Sequence, residues 1–260
     1  MVSLDALALV RFGLRAPDDP RILNTVKVID ATLKVDTPRG PVWHRYQGDG
    51  YGEHADGGPF DGTGIGRGWP LLTGERGHYE LAAGRADAAG QLAEAMEALA
   101  GDTGLLPEQV WDGADIPDRE LFAGHPSGSA MPLVWAHAEY VKLRRSLWDG
   151  EIFDRPPQTV ERYLVNRVAS HLVVWRFNHK VRTMSPGRAL RVETLAPATV
   201  RWSVDGWRTV HDTSTRDTMM GVNVADLDTD DLRHGDRVDL TFYWPQADRW
   251  EGTDFVVRIE

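Results

Sequence analysis

The sequence predicts a mainly helical region followed by an all-β region. Up to about residue 155, apolar residues recur at helical spacing, as in residues 20–35, where they fall on one face. After a Pro-Pro pair the period changes to two, and short alternating segments are separated by turn residues. We therefore place the domain boundary at this pair, which gives domains 1–156 and 157–260.

Five helices are expected in the first domain, over residues 3–14, 20–35, 72–84, 86–100 and 129–148. Two glycine-rich stretches, 36–68 and 101–127, separate them and are predicted to be irregular. Long loops within a compact domain are usually functional, so we expect the chemistry of this protein on these two stretches.

The second domain is predicted to be a β-sandwich of about 100 residues. In "RALRVETL" the residues Leu190, Val192 and Thr194 alternate with polar neighbours. The stretch "TVRWSVDGWRTV" indicates a hairpin that turns at its Asp-Gly pair, and "DRVDLTFYW" and "DFVVRI" alternate in the same way.

Composition excludes several classes of function. The formal net charge of −10 argues against non-specific nucleic-acid or anionic-membrane partners. There is no cysteine, so neither disulfides nor thiolate chemistry are available. No apolar run reaches the length of a membrane span. The histidines lack compact metal-ligand spacing, and we predict no metal and no cofactor.

One segment, "VWHRYQGDGYGEH", combines aromatic rings with charged hydrogen-bonding groups. A pyranose presents apolar C–H faces to rings and hydroxyls to carboxylates and guanidinium groups, so this mixture suits a sugar site. A surface loop with some aromatics packed into the core explains the composition equally well. The residues concerned are Trp43, Arg45, Tyr46, Asp49, Tyr51 and Glu53.

Two further features carry weaker signals. Glu108 in "LLPEQVWD" is a carboxylate on a loop beside aromatic residues, as a general base requires, although any surface loop offers one. The glycines of "GTGIGRG" are spaced as in a phosphate-binding loop. Because the Gly-Lys-Ser/Thr ending is missing, we exclude a nucleotide site.

Taken in order, four motifs resemble the bacterial glucoamylase and glucodextranase group of glycoside hydrolase family 15. They are "GPVWHRYQGDGYGEH", "GIGRGWPLLTGERGHYEL", "GLLPEQVWD" and "MPLVWAHAEYVKL", and the β-region resembles the domain that follows the catalytic domain in that group. The resemblance implies a partial (α/α) barrel, with about five of a dozen helices, followed by a sandwich-like domain. It also implies hydrolysis of α-glucosidic bonds at non-reducing ends with inversion.

The resemblance also implies roles for individual residues. Glu108 matches the family's general base, and Arg45 matches an arginine that hydrogen-bonds sugar hydroxyls. Tyr46 and Trp69 match aromatic residues that line the sugar subsites. The implied partner is an α-glucan or oligosaccharide.

The sequence departs from the family pattern in one respect. The family's general acid lies in a Trp-Glu-Glu motif upstream of the arginine motif, and no Trp-Glu pair precedes Arg45 here. We therefore expect a C-terminal part of such an enzyme, which is unstable or self-associates through its exposed barrel surface and does not hydrolyse glucosides alone.

Two alternatives stay open. The chain could be a non-catalytic carbohydrate-binding or regulatory protein that keeps a family 15-like barrel. The β-domain could also bind glycans by itself, although core packing explains its tryptophans more simply. Those residues are Trp202, Trp207, Trp244 and Trp250.

Overall fold

Four long helices and two very short ones lie in the N-terminal part of the chain in the computed structural model, which describes Met1–Glu260. A 3₁₀ turn at Leu4–Leu7 precedes the first helix, and a π-helical turn at Val160–Val165 follows the last. The helices are α1 (Ala8–Arg11), α2 (Pro20–Leu33), α3 (Pro70–Ala82), α4 (Ala86–Ala100), α5 (Val134–Asp149) and α6 (Pro157–Thr159). Their number is well below the dozen of an (α/α) barrel.

The long helices follow the predicted positions with two changes at their ends. The predicted helix over 3–14 is only the 3₁₀ turn and α1, because Gly13 takes a left-handed conformation with φ of 73°. Helix α5 begins at Val134 and not near 129. The cause is Pro132, since the residue before a proline is disfavoured in the helical region and Leu133 is itself extended.

A β-hairpin lies inside the stretch predicted to be irregular. Strands β1 (Lys34–Thr37) and β2 (Gly40–Trp43) pair antiparallel. The Thr37 hydroxyl donates to the Gly40 carbonyl at 2.8 Å and closes the turn. Strands of four residues are too short to show a periodic signal, which is why the sequence did not reveal them.

Helix α3 is the centre of the first core and is buried on almost every side. Two glycines allow α5 to approach it closely. A Cβ at Gly74 would lie 2.6 Å from Cγ of Glu139, and one at Gly77 would lie 2.7 Å from Cδ2 of Leu143. The glycines of "LLTGERGHYEL" are therefore required for the packing of two helices.

The ionisable residues of α3 other than Glu75 are paired inside the core. His78 Nδ1 lies 2.7 Å from Glu139 Oε1, and Arg11 Nη1 donates to the same carboxylate at 2.8 Å. Arg76 donates to Asp30 at 2.9 Å and also contacts Glu80, one turn further along α3. These pairs connect α3 to α1, α2 and α5, and buried charges are tolerated only when they are paired in this way.

The C-terminal part of the chain forms two sheets. A six-stranded sheet has the order β4-β12-β10-β6-β7 with β11 beside β10, and a four-stranded sheet has the order β3-β5-β9-β8. The strands are β3 (Leu172–Arg176), β4 (Thr183–Met184), β5 (Ala189–Thr194), β6 (Thr199–Ser203), β7 (His211–Ser214), β8 (Arg216–Asp217), β9 (Asn223–Leu227), β10 (Arg237–Trp244), β11 (Arg249–Trp250) and β12 (Phe255–Ile259).

Both sheets contribute to one hydrophobic core. Trp175 and Val192 come from the four-stranded sheet, and Leu240 and Phe242 from the six-stranded sheet. The predicted alternation in β5 is confirmed, since Leu190, Val192 and Thr194 are all buried. The β6–β7 hairpin is also confirmed, but its turn is not a two-residue Asp-Gly turn. Trp202 pairs with His211, and a longer loop over residues 203–210 connects them.

The contacts within the chain divide it into two compact units, Met1–Val168 and Ala169–Glu260. The Pro-Pro pair at residues 156–157 lies within the first unit. There the Thr159 hydroxyl contacts the Phe12 carbonyl, and a Cβ at Gly13 would lie 2.7 Å from Cγ2 of Val160. No helix of the chain has both the length and the apolar character that a membrane crossing requires.

A charged cavity of about 240 Å³ lies beside this core, between the N-terminal turn, α1, α3 and α5. Glu75 of α3 lies in its wall. Burial, together with the nearby charge of Glu139, raises the pKa of Glu75 to about 7, although Arg11 opposes the shift and Asp5 adds to it. The folded protein therefore binds a proton at Glu75 over a pH range in which the unfolded chain has released it.

The first prediction concerns this carboxyl group. Because its pKa is raised on folding, the free energy of unfolding falls as pH rises from about 4.5 to about 7, by up to roughly 3 kcal/mol. Glu75→Gln should remove this loss, so its stability gain over the wild type should be larger at pH 8 than at pH 5 in urea denaturation. Glu94→Gln, an exposed change on α4, is the control. If Glu75→Gln differed from the wild type by the same free energy of unfolding at pH 5 and at pH 8, the raised pKa of Glu75 would be contradicted.

Candidate active site

Backbone hydrogen bonds bring three distant segments of the first unit together. Trp69 N–H donates to the Trp43 carbonyl at 2.9 Å, which joins the start of α3 to the end of β2. Val110 N–H donates to the Gly68 carbonyl at 2.9 Å, and Val110 also forms a bridge with Pro126. The residues that follow β2, precede α3 and surround Val110 therefore lie side by side.

Glycines make this approach possible. A Cβ at Gly64 would lie 1.8 Å from the carbonyl oxygen of Gly52, and one at Gly68 would lie 2.2 Å from Cγ2 of Val42. A Cβ at Gly66 would lie 2.6 Å from Cβ of Asp49. No side chain fits at these three positions without displacing the neighbouring segment, so the last three glycines of "GTGIGRG" have a packing role.

Arg45, two residues after β2, is held by a bidentate ion pair. Its Nε and Nη2 donate to the carboxylate of Asp49 at 2.7 and 2.8 Å, and the same carboxylate accepts from Tyr51 N–H at 3.1 Å. Burial alone would raise the pKa of Asp49, but the bonds from Arg45 and Tyr51 outweigh it and lower that pKa below its ordinary value. Paired in this way, the guanidinium has a fixed plane.

Three aromatic rings surround the guanidinium. Its Cζ lies 5.4 Å from the ring centroid of Tyr46, 5.0 Å from Tyr51 and 4.9 Å from Trp69, all within the range of cation–π attraction. Trp69 is only 3% exposed, and its Nε1 has no hydrogen-bond partner. Tyr51 is 38% exposed. Trp69 therefore supports Arg45 from the core, while Tyr51 is accessible to solvent.

Glu108 is fixed through its backbone and is half-buried. Its N–H donates to the Ala130 carbonyl at 2.8 Å. The next residue, Gln109, accepts from Arg67 N–H at 2.8 Å through its side-chain oxygen. The Tyr51 hydroxyl donates to Glu108 Oε2 at 3.3 Å, and the negative charge of Glu108 raises the pKa of Tyr51. Tyr51 thus remains a donor and connects Glu108 to the aromatic surround of Arg45.

The other carboxylates of this region have protein partners. Glu53 Oε1 accepts from Gly128 N–H at 2.7 Å and the side chain is buried. Asp112 contacts His44 Nε2 at 2.6 Å and Arg67 Nη1 at 3.4 Å. Arg67 itself lies over the ring of Trp111 and donates to two backbone carbonyls. Glu108, in contrast, has one hydroxyl partner and is open to a ligand.

The structure brings together the residues singled out in the sequence, which are Arg45, Tyr46, Trp69 and Glu108. Trp69 differs from the others in that its ring is buried beside Arg45. It adds two contacts that sequence reasoning did not find. One is the Arg45–Asp49 pair, for which the spacing of four residues was the available signal. The other is the hydrogen bond from Tyr51 to Glu108, which lies 57 residues away and left no local signal.

Comparisons with known proteins show similarity to enzymes that act on glucans. A glucoamylase from Clostridium sp. (strain G0005) is 51% identical over 164 residues, which cover 63% of this chain and 22% of that enzyme. A cycloisomaltooligosaccharide glucanotransferase from Niallia circulans is 32% identical over 97 residues, or 33% of this chain and 10% of that protein. A crystal structure of a bacterial glucoamylase complexed with acarbose matches with a TM-score of 0.57 and 48% identity, over 62% of this chain and 22% of that chain.

This chain therefore spans about a fifth of the length of the glucoamylases that it matches. The family model for glycosyl hydrolases family 15 matches residues 2–145, which is more than half of the chain. The chain thus belongs to glycosyl hydrolases family 15.

Proposed function

We propose that this chain carries the base-bearing part of the active site of an exo-acting, inverting α-glucosidase of the glucoamylase or glucodextranase type. Such an enzyme releases glucose from the non-reducing ends of α-glucans. The observation that carries the proposal is the position of Glu108, a half-buried carboxylate with a single hydroxyl partner beside the fixed guanidinium of Arg45. The names of the glucoamylase relatives and the acarbose complex are in keeping with it.

Arg45 has donors to spare for a sugar. Asp49 uses Nε and Nη2, and Nη1 makes no hydrogen bond within the protein. A guanidinium has five N–H groups in a rigid plane, so the free edge of Arg45 suits adjacent hydroxyls of a pyranose. Tyr46 and Tyr51 offer ring faces to the C–H side of the sugar. Trp69 acts through Arg45, whose position it supports.

Glu108 is the proposed general base. It would take a proton from a water molecule as that water attacks C1 from the face opposite the leaving group, which inverts the configuration at C1. Inverting enzymes need a second carboxyl group, roughly 6.5–9.5 Å away, to protonate the leaving oxygen. Asp49 and Asp112 are engaged by protein partners. Glu53 binds Gly128 N–H through Oε1 and leaves Oε2 without a partner, but its side chain is buried, so we assign none of the three to this role.

We therefore propose that the chain by itself does not hydrolyse ordinary glucosides. Without leaving-group protonation the rate falls by roughly 10²–10⁴-fold. The lack of a second available carboxylate also favours a second candidate function, a carbohydrate-binding protein without turnover. Such a protein would keep Arg45 and its aromatic surround but make no use of Glu108 as a base.

The two units have separate proposed roles. We assign the N-terminal domain, 1–156, to part of an (α/α) barrel, supported by the packing of α3 between α4 and α5. We assign the second unit, Ala169–Glu260, which makes up most of the predicted domain 157–260, to a sandwich-like accessory domain, supported by the single core that its two sheets share.

Helix α5 carries an exposed apolar stripe. Val134, Val141 and Trp148 recur every seven residues and are 78%, 63% and 88% exposed. Seven residues are close to two turns of a helix, so these side chains lie on one face. Arg144 and Arg145 lie between Val141 and Trp148 on this face, so the stripe is amphipathic. Exposed large apolar side chains grouped on one face often mark interaction surfaces, and we propose that the purified chain self-associates through this stripe.

This second prediction is tested by sedimentation velocity over a range of protein concentrations. The wild-type chain should sediment faster as its concentration rises, and Trp148→Glu should shift it towards the monomer because a charge is placed in the buried contact. Val28→Glu, an exposed change on α2, should leave the self-association in place. A wild-type chain that is monomeric throughout, or a Trp148→Glu variant that associates equally, would contradict the proposal.

The third prediction separates the base from the acid. Fluoride leaves a sugar without protonation, so a chain with only the base should release fluoride from α-glucosyl fluoride while leaving maltose intact. Glu108→Gln should lower fluoride release by about 100-fold or more, because the attacking water keeps its proton. Fluoride release is followed with an ion-selective electrode, and glucose from maltose with a coupled assay.

Each outcome of this experiment decides a point. Glucose release from maltose would contradict the proposal that the chain lacks a general acid. Undiminished fluoride release by Glu108→Gln would contradict the proposal that Glu108 is the general base. If the wild-type chain binds acarbose but releases no fluoride, the non-catalytic alternative is supported. Glu94→Gln on α4 is the matched control and should keep the wild-type rate.

A further inference from the structure

A second group of aromatic and polar side chains lies on the outward face of the six-stranded sheet. In β6, Val200 and Trp202 point into the core, so Arg201 between them points outward. Thr241 of β10 is directly opposite Arg201 in the sheet register. Two residues further along, Tyr243 of β10 is opposite Trp250 of β11. The four outward side chains thus occupy neighbouring positions on one surface.

Arg201 and Trp250 hold each other in place. The guanidinium of Arg201 donates to Asp212 at 2.8 Å through Nε and at 2.7 Å through Nη2. Its Cζ lies 4.5 Å from the ring centroid of Trp250, and the Tyr243 ring lies 5.3 Å from the same tryptophan. Trp250 is nevertheless 45% exposed. The ring is therefore kept in one orientation while a large part of it stays accessible.

A second tryptophan is presented by the loop after β6. Trp207 has a φ of 67°, which is unusual for a bulky residue. The loop holds it there, because the Ser203 hydroxyl accepts from Trp207 N–H at 2.9 Å and Asp205 accepts from Thr209 N–H at 2.8 Å. Such a conformation persists only where surrounding contacts fix it, and it is common at ligand-binding sites.

These side chains line a shallow cavity of about 310 Å³ that is widely open to solvent, formed by Arg201, Trp207, Thr241, Trp250 and Asp254. Its volume is at the lower end of the range for small-molecule sites, roughly 300–1,000 Å³. The charge of Arg201 is already matched by Asp212, and Asp254 adds a negative charge. An anionic ligand such as a phosphate is therefore disfavoured, whereas a neutral ligand with hydroxyl groups finds both donors and acceptors.

We propose that this cavity is a second carbohydrate-binding site, which takes a short stretch of a glucan chain outside the active site. The exposed ring of Trp250 and the half-buried ring of Trp207 would contact pyranose faces, while Arg201, Thr241 and Asp254 would bind hydroxyls. The choice of an α-linked glucan rests on the proposed function of the first unit. The recognition of a neutral sugar rests on the cavity alone.

The test uses affinity electrophoresis of the whole chain in native gels that contain amylopectin or, in a separate gel, dextran. The wild-type chain should be retarded in at least one gel. Trp250→Ala should weaken retention by about tenfold or more, since central aromatic residues dominate such contacts. Leu195→Ala removes an even more exposed apolar side chain of the same unit and should keep the wild-type mobility.

A further variant guards against loss of folding. Trp207→Gly removes the ring, and glycine adopts the left-handed backbone of this position without strain. It should therefore fold normally by circular dichroism and still lose retention. Normal retention of folded Trp250→Ala and Trp207→Gly would overturn the site, as would a wild-type chain that neither gel retards.

Failure of this site and failure of the proposed function give different results. Fluoride release from α-glucosyl fluoride is measured on the same wild-type preparation. Retention that depends on Trp250, without fluoride release, would support the second site and count against the catalytic proposal. Fluoride release by a chain whose retention does not depend on Trp250 would support the catalytic proposal and count against the second site.

Discussion

The junction at Gly68 and Trp69 is the constraint on which the candidate active site depends. Trp69 binds the backbone of β2 on one side, and Gly68 accepts from Val110 on the other. These two hydrogen bonds align Arg45 and Glu108, which are 63 positions apart in the chain. Because Cγ2 of Val42 occupies the space of a Cβ at Gly68, the alignment requires a glycine there.

The same stretch of chain also organises the core. Immediately after the junction, α3 enters the centre of the first unit, where Gly74 and Gly77 admit α5 and where Arg76 and His78 are paired with carboxylates of other helices. A displacement of α3 would therefore also move Trp69 and the guanidinium of Arg45, which lies over the ring of Trp69. The buried ion pairs thus help to fix the position of α3, and of Trp69 at its start, relative to α2 and α5.

How much of the fold and of the candidate site could be predicted from the sequence depends on whether the interactions are local or join distant parts of the chain. Helices α2, α3 and α4 were predicted within a few residues, because their apolar spacing and the prolines at the start of α2 and α3 are local signals. The β1–β2 hairpin and the long loop after β6 were missed, since both depend on pairing that short segments do not reveal. Glu108, Arg45 and Tyr46 were found through motifs. The burial of Trp69 beneath Arg45 and the contact of Tyr51 with Glu108 arise from tertiary packing and were not predictable.

The central claim is that Glu108 directs a water molecule to the face of the sugar opposite the leaving group. The stereochemistry of the first product tests it most directly. Proton NMR of the sugar released from α-glucosyl fluoride by the wild-type chain, recorded before mutarotation, should show β-glucose. α-Glucose as the first product, or an equal β-glucose yield from Glu108→Gln, would contradict the account.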